Sequence, residues 1–436
     1  MKKLTEVFRL FLFGALVVGF TACNSNNGTD PDPTPAGPQT ISGSIASNTT
    51  WKAGGTYILS GFVYVDNNAI LTIEPGTIVK GDKPTKGSLI IKPGAKIVAV
   101  GTQDKPIVFT SNQPAGQRAA GDWGGLVLLG KAPVNKTPSV IEGENISTFG
   151  GNDPADNSGQ LKYVRIEFAG IAFETDKEIN GLTFGGVGSG TQIDYVQVSY
   201  SGDDSYEWFG GTVNARHLIA YRGLDDDFDT DNGFSGTVQY GLIIRDPKIA
   251  DQAGDSNAFE SDNDASGSEA TPKTSARFAN VTATIAAGTL DSKFRSATRL
   301  RRSTELSVYN SVFTAAYPRG IELQDKVADN YKAGKLKIEG VILQGAITPL
   351  LGVDQAIFEA AGNKNKVFTT VAELMMDANF NILNTRPVVL PKAGSPLLTG
   401  GVTLPAGFEA TTYRGAFGAN DWTTGWANFD PQNTAY

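Results

Sequence analysis

Leu71-Thr72-Ile73-Glu74-Pro75-Gly76 recurs as Leu89-Ile90-Ile91-Lys92-Pro93-Gly94, the same apolar alternation closed by the same Pro-Gly turn. Alternation of period two marks a strand with one buried face, and Pro-Gly ends it tightly. We read the pair as one coil repeated. A second family of strands starts at Tyr163 (YVRIEF), Tyr195 (YVQVSY) and His217 (HLIAYR), with first residues 32 and 22 positions apart. The pattern returns from Phe278, Val308 and Ile338, each shifted by 30. Aromatic-Gly-Gly triplets at Trp123-Gly124-Gly125, Phe184-Gly185-Gly186 and Phe209-Gly210-Gly211 mark a further column.

Irregular periods of roughly 18 to 38 residues, carrying short strands and no helices between them, signify a β-solenoid. Propeller blades would need a steadier period of about 40–50 residues and four strands per unit. A β-sandwich fits less well still. The 51 glycines and 21 prolines, beside many Val, Ile and Thr, agree with short strands and tight turns. The expected fold is therefore all-β, a right-handed parallel β-helix over 40–345. Last coils and a C-terminal cap follow over 346–436, with a short helix near Thr369–Ala378 where a Thr cap precedes Glu373. Strands one coil apart would pair in parallel at about 4.8 Å, so equivalent positions stack into ladders.

The N-terminus reads as an export signal. Lys2, Lys3 and Arg9 precede an apolar run from Leu10 to Phe20, too short to span a bilayer, and Thr21-Ala22 lead into Cys23, the only cysteine. Small residues before a cysteine resemble the bacterial lipobox, although Phe20 replaces its usual Leu. That resemblance implies cleavage after residue 22 and acylation of Cys23, hence a lipid-anchored protein at an outer membrane or cell surface. Residues 23–39, polar and punctuated by proline, would be an extended tether. Without residues 1–22 the chain carries 34 basic and 44 acidic groups. So acidic a chain is a poor partner for nucleic acid but suits cations. With one histidine, His217, it also lacks the inventory of histidine-rich zinc sites and catalytic triads.

LTIEPG and LIIKPG, then Pro106-Ile107-Val108-Phe109-Thr110-Ser111 and Gly121-Asp122-Trp123-Gly124-Gly125, resemble the opening of right-handed parallel β-helix proteins. The later runs YVRIEFAG, SGDDSYEWFGG, LDDDFDTDNG, FESDND and YRGAFGANDWTTGW resemble a pectate-lyase-like family of secreted or lipid-anchored Gram-negative β-helix proteins of unassigned activity. Resemblance covers nearly all of Thr40 to Tyr436. It implies the fold and leaves the chemistry open, since β-helices host lyases, hydrolases, adhesins and stalks alike.

Acidic residues cluster in consecutive turns: Asp203, Asp204 and Glu207; then Asp225, Asp226, Asp227, Asp229 and Asp231; then Glu260, Asp262 and Asp264. If the turns stack, Glu207, Asp229 and Glu260 form a carboxylate ladder. Two charges about 4.8 Å apart repel by about 1 kcal/mol in water and about 3.5 kcal/mol at an effective dielectric of about 20. Relief would come from Ca²⁺, from arginines or from a shared proton. Candidate calcium ligands are Asp227, Asp229, Asp231, Glu260 and Asp262, drawn from several coils because no standard calcium loop is present. The alternative is a set of solvated turns in which Asp bonds its own backbone. Arg295, Arg299, Arg301 and Arg302 follow one coil on, with Arg222 and Arg245 at earlier strand ends. His217 reads as a ladder or core residue opposite Tyr195 and Tyr240. Trp123, Trp208, Trp422 and Trp426 fit core corners; Trp208, with Asp203 and Asp204, is also the candidate for glycan contact.

Three functions fit. The leading one is a non-catalytic surface lipoprotein binding a carbohydrate or a partner protein on its acidic and aromatic flank, with calcium as a candidate ligand. The second is a calcium-assisted polysaccharide lyase or a glycoside hydrolase, with Glu207, Asp229, Glu260 and Arg301 as catalytic candidates. For a hydrolase, Ser201-Gly202-Asp203-Asp204 resembles one family element, whereas the accompanying Gly-His-Gly and Arg-Ile-Lys elements are missing. The third is a structural component of an outer-membrane assembly.

Overall fold

The computed structural model describes residues 37–436 apart from 138, 142–146, 175, 176 and 315. The expected signal segment, Cys23 and most of the expected tether lie outside these residues; strand pairing begins at Gln39.

One coil contributes three strands, Ile70–Ile73, Ile78–Gly81 and Ser88–Ile91. The next contributes Lys96–Val100, Ile107–Ser111 and Gly125–Leu129, and each pairs in parallel with its counterpart. Three columns of parallel strands result, wound as a right-handed β-helix. The step from LTIEPG to LIIKPG is not a coil, which corrects the sequence reading. Leu71 lies opposite Ile97, and Val63 opposite Leu89, so a full coil here carries the chain from Leu71 past Leu89 to Ile97. LTIEPG belongs to the first column and LIIKPG to the third column of the same coil. Both strands send alternate residues into the main core, Leu71 and Ile73 in one and Leu89 and Ile91 in the other, and leave by a Pro-Gly turn, so the local pattern cannot tell one column from another.

From Gly159 onward the first and second columns merge into single strands bent at one residue: Gly159–Glu167, Gln192–Ser199, Asn214–Tyr221, Thr237–Arg245 and Arg277–Ile285. The bend falls at Tyr163, Tyr195, His217, Tyr240 and Asn280, with φ of 49°, 54°, 51°, 66° and 55°. A left-handed conformation costs an L-residue roughly 1–2 kcal/mol. Stacking offsets it: ring centroids lie 4.5 Å apart for Tyr163–Tyr195, 4.2 Å for Tyr195–His217 and 4.7 Å for His217–Tyr240. Each such pair contributes about 0.5–1.5 kcal/mol. His217 is thus a ladder residue, as its sequence context suggested.

The third column runs through Leu182–Gly185, Tyr206–Phe209, Phe228–Asp231, Phe259–Ser261, Ser296–Leu300 and Arg319–Leu323. Its alternation sends Tyr206, Trp208, Phe228 and Phe259 into the main core. The aromatic-Gly-Gly triplets do not form a column. Phe184 pairs with Trp208, and Gly185 with Phe209, so the second and third triplets are offset by one residue and present opposite faces.

The segment beyond the last coils does two things. A short helix, Gln355–Phe358, buries Phe358 in the main core. The expected helix near Thr369 is a 3₁₀ turn, Val371–Leu374, closed by reciprocal bonding between Thr370 and Glu373 and stopped by Met375 in a left-handed conformation. Thereafter the chain runs back along the bent strands as a strap. Side-chain amides hold it in pairs of hydrogen bonds: Asn310 to Val402 (3.0 and 2.7 Å), Gln239 to Glu409 (2.9 and 2.9 Å) and Gln197 to Asn428 (2.6 and 2.8 Å). The Tyr436 hydroxyl donates to Glu167 at 2.6 Å. Thus 346–436 holds the last coil strands, Thr348–Leu351 and Lys366–Phe368, then a small cap continued by a strap along the flank.

Candidate functional site

The outward positions of the third column follow from its register. Thr183 lies opposite Glu207, Glu207 opposite Asp229, Asp229 opposite Glu260, Glu260 opposite Arg299, and Arg299 opposite Glu322. The carboxylate ladder expected from spacing is therefore real as a row of neighbours, and arginine continues it.

The turn before each strand carries a second ladder. The Asp226 N–H donates to Asp204 Oδ1 at 2.9 Å, the Asn257 N–H to Asp226 Oδ1 at 2.5 Å, and the Ser296 N–H to Asn257 Oδ1 at 3.0 Å. Each buried side chain thereby satisfies a backbone donor of the next coil, which a buried turn would otherwise leave unpaired. Asp204 accepts a single backbone N–H on Oδ1, whereas Asp226 takes both the backbone N–H and the Nδ2 of Asn257 on that one oxygen and is structural by this measure. So is Asp227, which the sequence reading placed among the calcium ligands. It is fully buried and pairs with Arg245 at 2.9 Å, facing inward where no external ion reaches it.

The column divides electrostatically. Glu260 bonds Arg299 (3.0 Å) and Arg301, while Asp262 bonds Arg301 (2.8 Å) and Arg302 (2.7 Å). These two acids, also proposed as ligands, are already neutralised. Asp231 stands in the next outward position of its strand, outside the groups described below. The other half differs. One carboxylate oxygen each from Asp203, Asp204 and Asp225 lie within 4.8 Å of one another, as do those from Asp204, Glu207 and Asp229. Asp204 belongs to both groups. Among the described residues Asp204, Asp225 and Asp229 enter no ion pair, and enclosed oxygens of Asp225 and Asp229 have no hydrogen-bond partner.

Burial, reinforced by like charge, is the cause of strained ionisation here. It pushes Asp204 well above the carboxylate range, helped by Asp203 and Asp229; Asp225 likewise, helped by Asp203; and Asp229, helped by Glu260 and Asp226. Asp231 is pushed up to about 7, chiefly by burial. Glu260 is raised by burial although Arg301 and Arg299 pull it down. Several carboxylates offering oxygen donors alone form the kind of donor set that hard divalent ions such as Ca²⁺ take.

Of the proposed site residues, the fold brings Asp203, Asp204, Glu207 and Asp229 together. Asp225 was missed as a ligand, though its spacing of 22 from Asp203 equals that between Glu207 and Asp229. Trp208 is a correction. It has no exposed surface and stacks on Phe184 (5.4 Å) and Phe234 (5.4 Å), so it cannot meet a glycan on the outer face. Alternation decides this: Glu207 faces out, so Trp208 faces in.

A parallel β-helix with an outward acidic column defines the class of protein. The family model for the pectate-lyase like β-helix domain matches residues 43–385, and the chain belongs to that family. No curated protein matches the chain.

Proposed function

We infer that this chain is a lipid-anchored protein of the outer membrane or cell surface that holds Ca²⁺ on the acidic column and binds an acidic carbohydrate through it. The observation carrying this reading is Asp204, shared by two carboxylate groups whose members Asp225 and Asp229 have no cationic partner among the described residues. A bound ion would relieve the repulsion and leave coordination for a uronate carboxylate. Cys23 and the polar segment after it support the anchor. The strap occupies the flank of the bent strands.

The lyase or hydrolase reading draws on Arg299 and Arg301 one coil away. Both guanidiniums are committed to Glu260, and Arg301 is held protonated more firmly than usual by Glu260 and Asp262, which disfavours it as a base. Binding therefore fits better than turnover.

Thermal unfolding of the mature chain with Ca²⁺ or a chelator at pH 7.5 tests the reading, followed by retention of polygalacturonate against a neutral glucan. Calcium at a hundred times Kd stabilises by about 2.7 kcal/mol. An unchanged midpoint removes the cation site. Equal retention of both polymers removes the acidic-carbohydrate preference, and unsaturated products would replace the binder with a lyase.

A further inference from the structure

Lined by none of the acidic-column residues, a cavity of about 800 Å³ opens between the ends of second-column strands and the 3₁₀ turn. Its walls are largely apolar, built mainly from Ile285, Ala316, Val371, Met375, Met376 and Phe380. Val371 and Met375, 49% and 39% exposed, are among the few large apolar side chains the described residues leave in contact with solvent. Met375 and Met376 are the only methionines besides Met1, and flexible thioethers adapt to irregular apolar ligands. A pocket of this volume is of the size that encloses a small molecule.

Two donors in it lack an acceptor. Gln344 is more than nine-tenths buried; its Oε1 accepts the Thr314 hydroxyl at 2.6 Å, while its Nε2 makes no hydrogen bond among the described residues. Lys392 lines the same cavity and its ammonium enters no ion pair among them, while its backbone N–H donates to Met375 O at 2.8 Å. The one acid there, Asp377, uses a carboxylate oxygen to accept the Asn379 N–H at 3.0 Å.

We propose that this cavity binds a small amphiphile, with an alkyl body among the methionines and an anionic head taken by Gln344 Nε2 and Lys392. The site is independent of the cation reading. Fluorescence titration of the mature chain with 11-(dansylamino)undecanoic acid, then displacement by dodecanoate and by dodecanol, tests it. Expected is a saturable one-site rise, with dodecanoate displacing the probe at least tenfold better than the alcohol. Ala316→Trp and Ala372→Trp, both at exposed positions, fill the cavity and weaken binding at least tenfold without moving the thermal midpoint. Lys392→Gln erases the preference for the acid. A rise that never saturates, equal displacement by acid and alcohol, or binding that both tryptophan variants leave intact overturns the proposal.

Discussion

Arg245 is a guanidinium with no exposed surface, and removing it isolates a buried carboxylate. Its Nη1 donates to Asp227 Oδ2 at 2.9 Å and to Asn257 O, and its Nη2 to Leu224 O at 3.1 Å and Gly223 O at 3.3 Å. The Phe294 ring lies 4.9 Å from the guanidinium carbon. Arg245→Met keeps the volume and deletes the charge; breaking a buried pair on one side costs about 3–5 kcal/mol. With an unfolding entropy of about 2.1 cal/mol/K per residue over roughly 400 residues, that lowers the midpoint by about 4–6 °C. The pH dependence has a defined sign. Burial raises Asp227 from 3.8 to about 6 even beside Arg245, so its contribution is full below pH 3.8 and is lost as pH rises to about 6. Without the arginine its folded pKa climbs further, and the variant keeps losing stability above pH 6 where the wild type has levelled. Calorimetric scans at pH 5.5, 6.5 and 7.5 should show a deficit that widens above pH 6. A deficit that is absent, or constant across the three, would mean that the Arg245–Asp227 pair does not carry this stability.

Trp208→Ala should cost about 3–5 kcal/mol, as for a large core aromatic, while leaving calcium affinity unchanged; selective loss of ligand binding at unchanged stability would contradict its placement. Gln239→Leu removes both bonds to Glu409 and should expose the strap to limited proteolysis within residues 402–436, whereas an unaltered cleavage map would show that the amide clamp is dispensable. Without divalent cations, the raised pKa values of Asp204, Asp225 and Asp229 mean that the folded state binds extra protons, so stability should fall from pH 5 to pH 8. Calcium should remove that fall, and stability that rises over this range in chelator would be the contrary result.

Much of the fold was legible because alternation and spacing are local records of stacking. The steps from Tyr163 to Tyr195 and on to His217, and those from Phe278 to Val308 and Ile338, are coil lengths in the pairing itself. The step from LTIEPG to LIIKPG failed as a coil length because the two share a strand grammar while standing in different columns. Spacing also aligned Glu207, Asp229 and Glu260. It could not show which carboxylates were already spoken for, since that depends on arginines well removed along the chain: Arg245 for Asp227, Arg299 and Arg301 for Glu260. The strap was invisible for the same reason. Gln197 and Asn428 belong to opposite halves of the chain, and no period links them.

Calorimetric titration of Ca²⁺ at pH 6.5 into the protein from Cys23 onward and its Asp204→Asn variant, each in two buffers of different ionisation enthalpy, asks whether the acidic column holds the ion. The variant keeps the acceptor for the Asp226 N–H but loses the charge common to both carboxylate groups. Expected is wild-type binding accompanied by proton release, with affinity at least tenfold weaker in the variant. No binding heat in the wild type, or equal affinity in the two proteins, would contradict it.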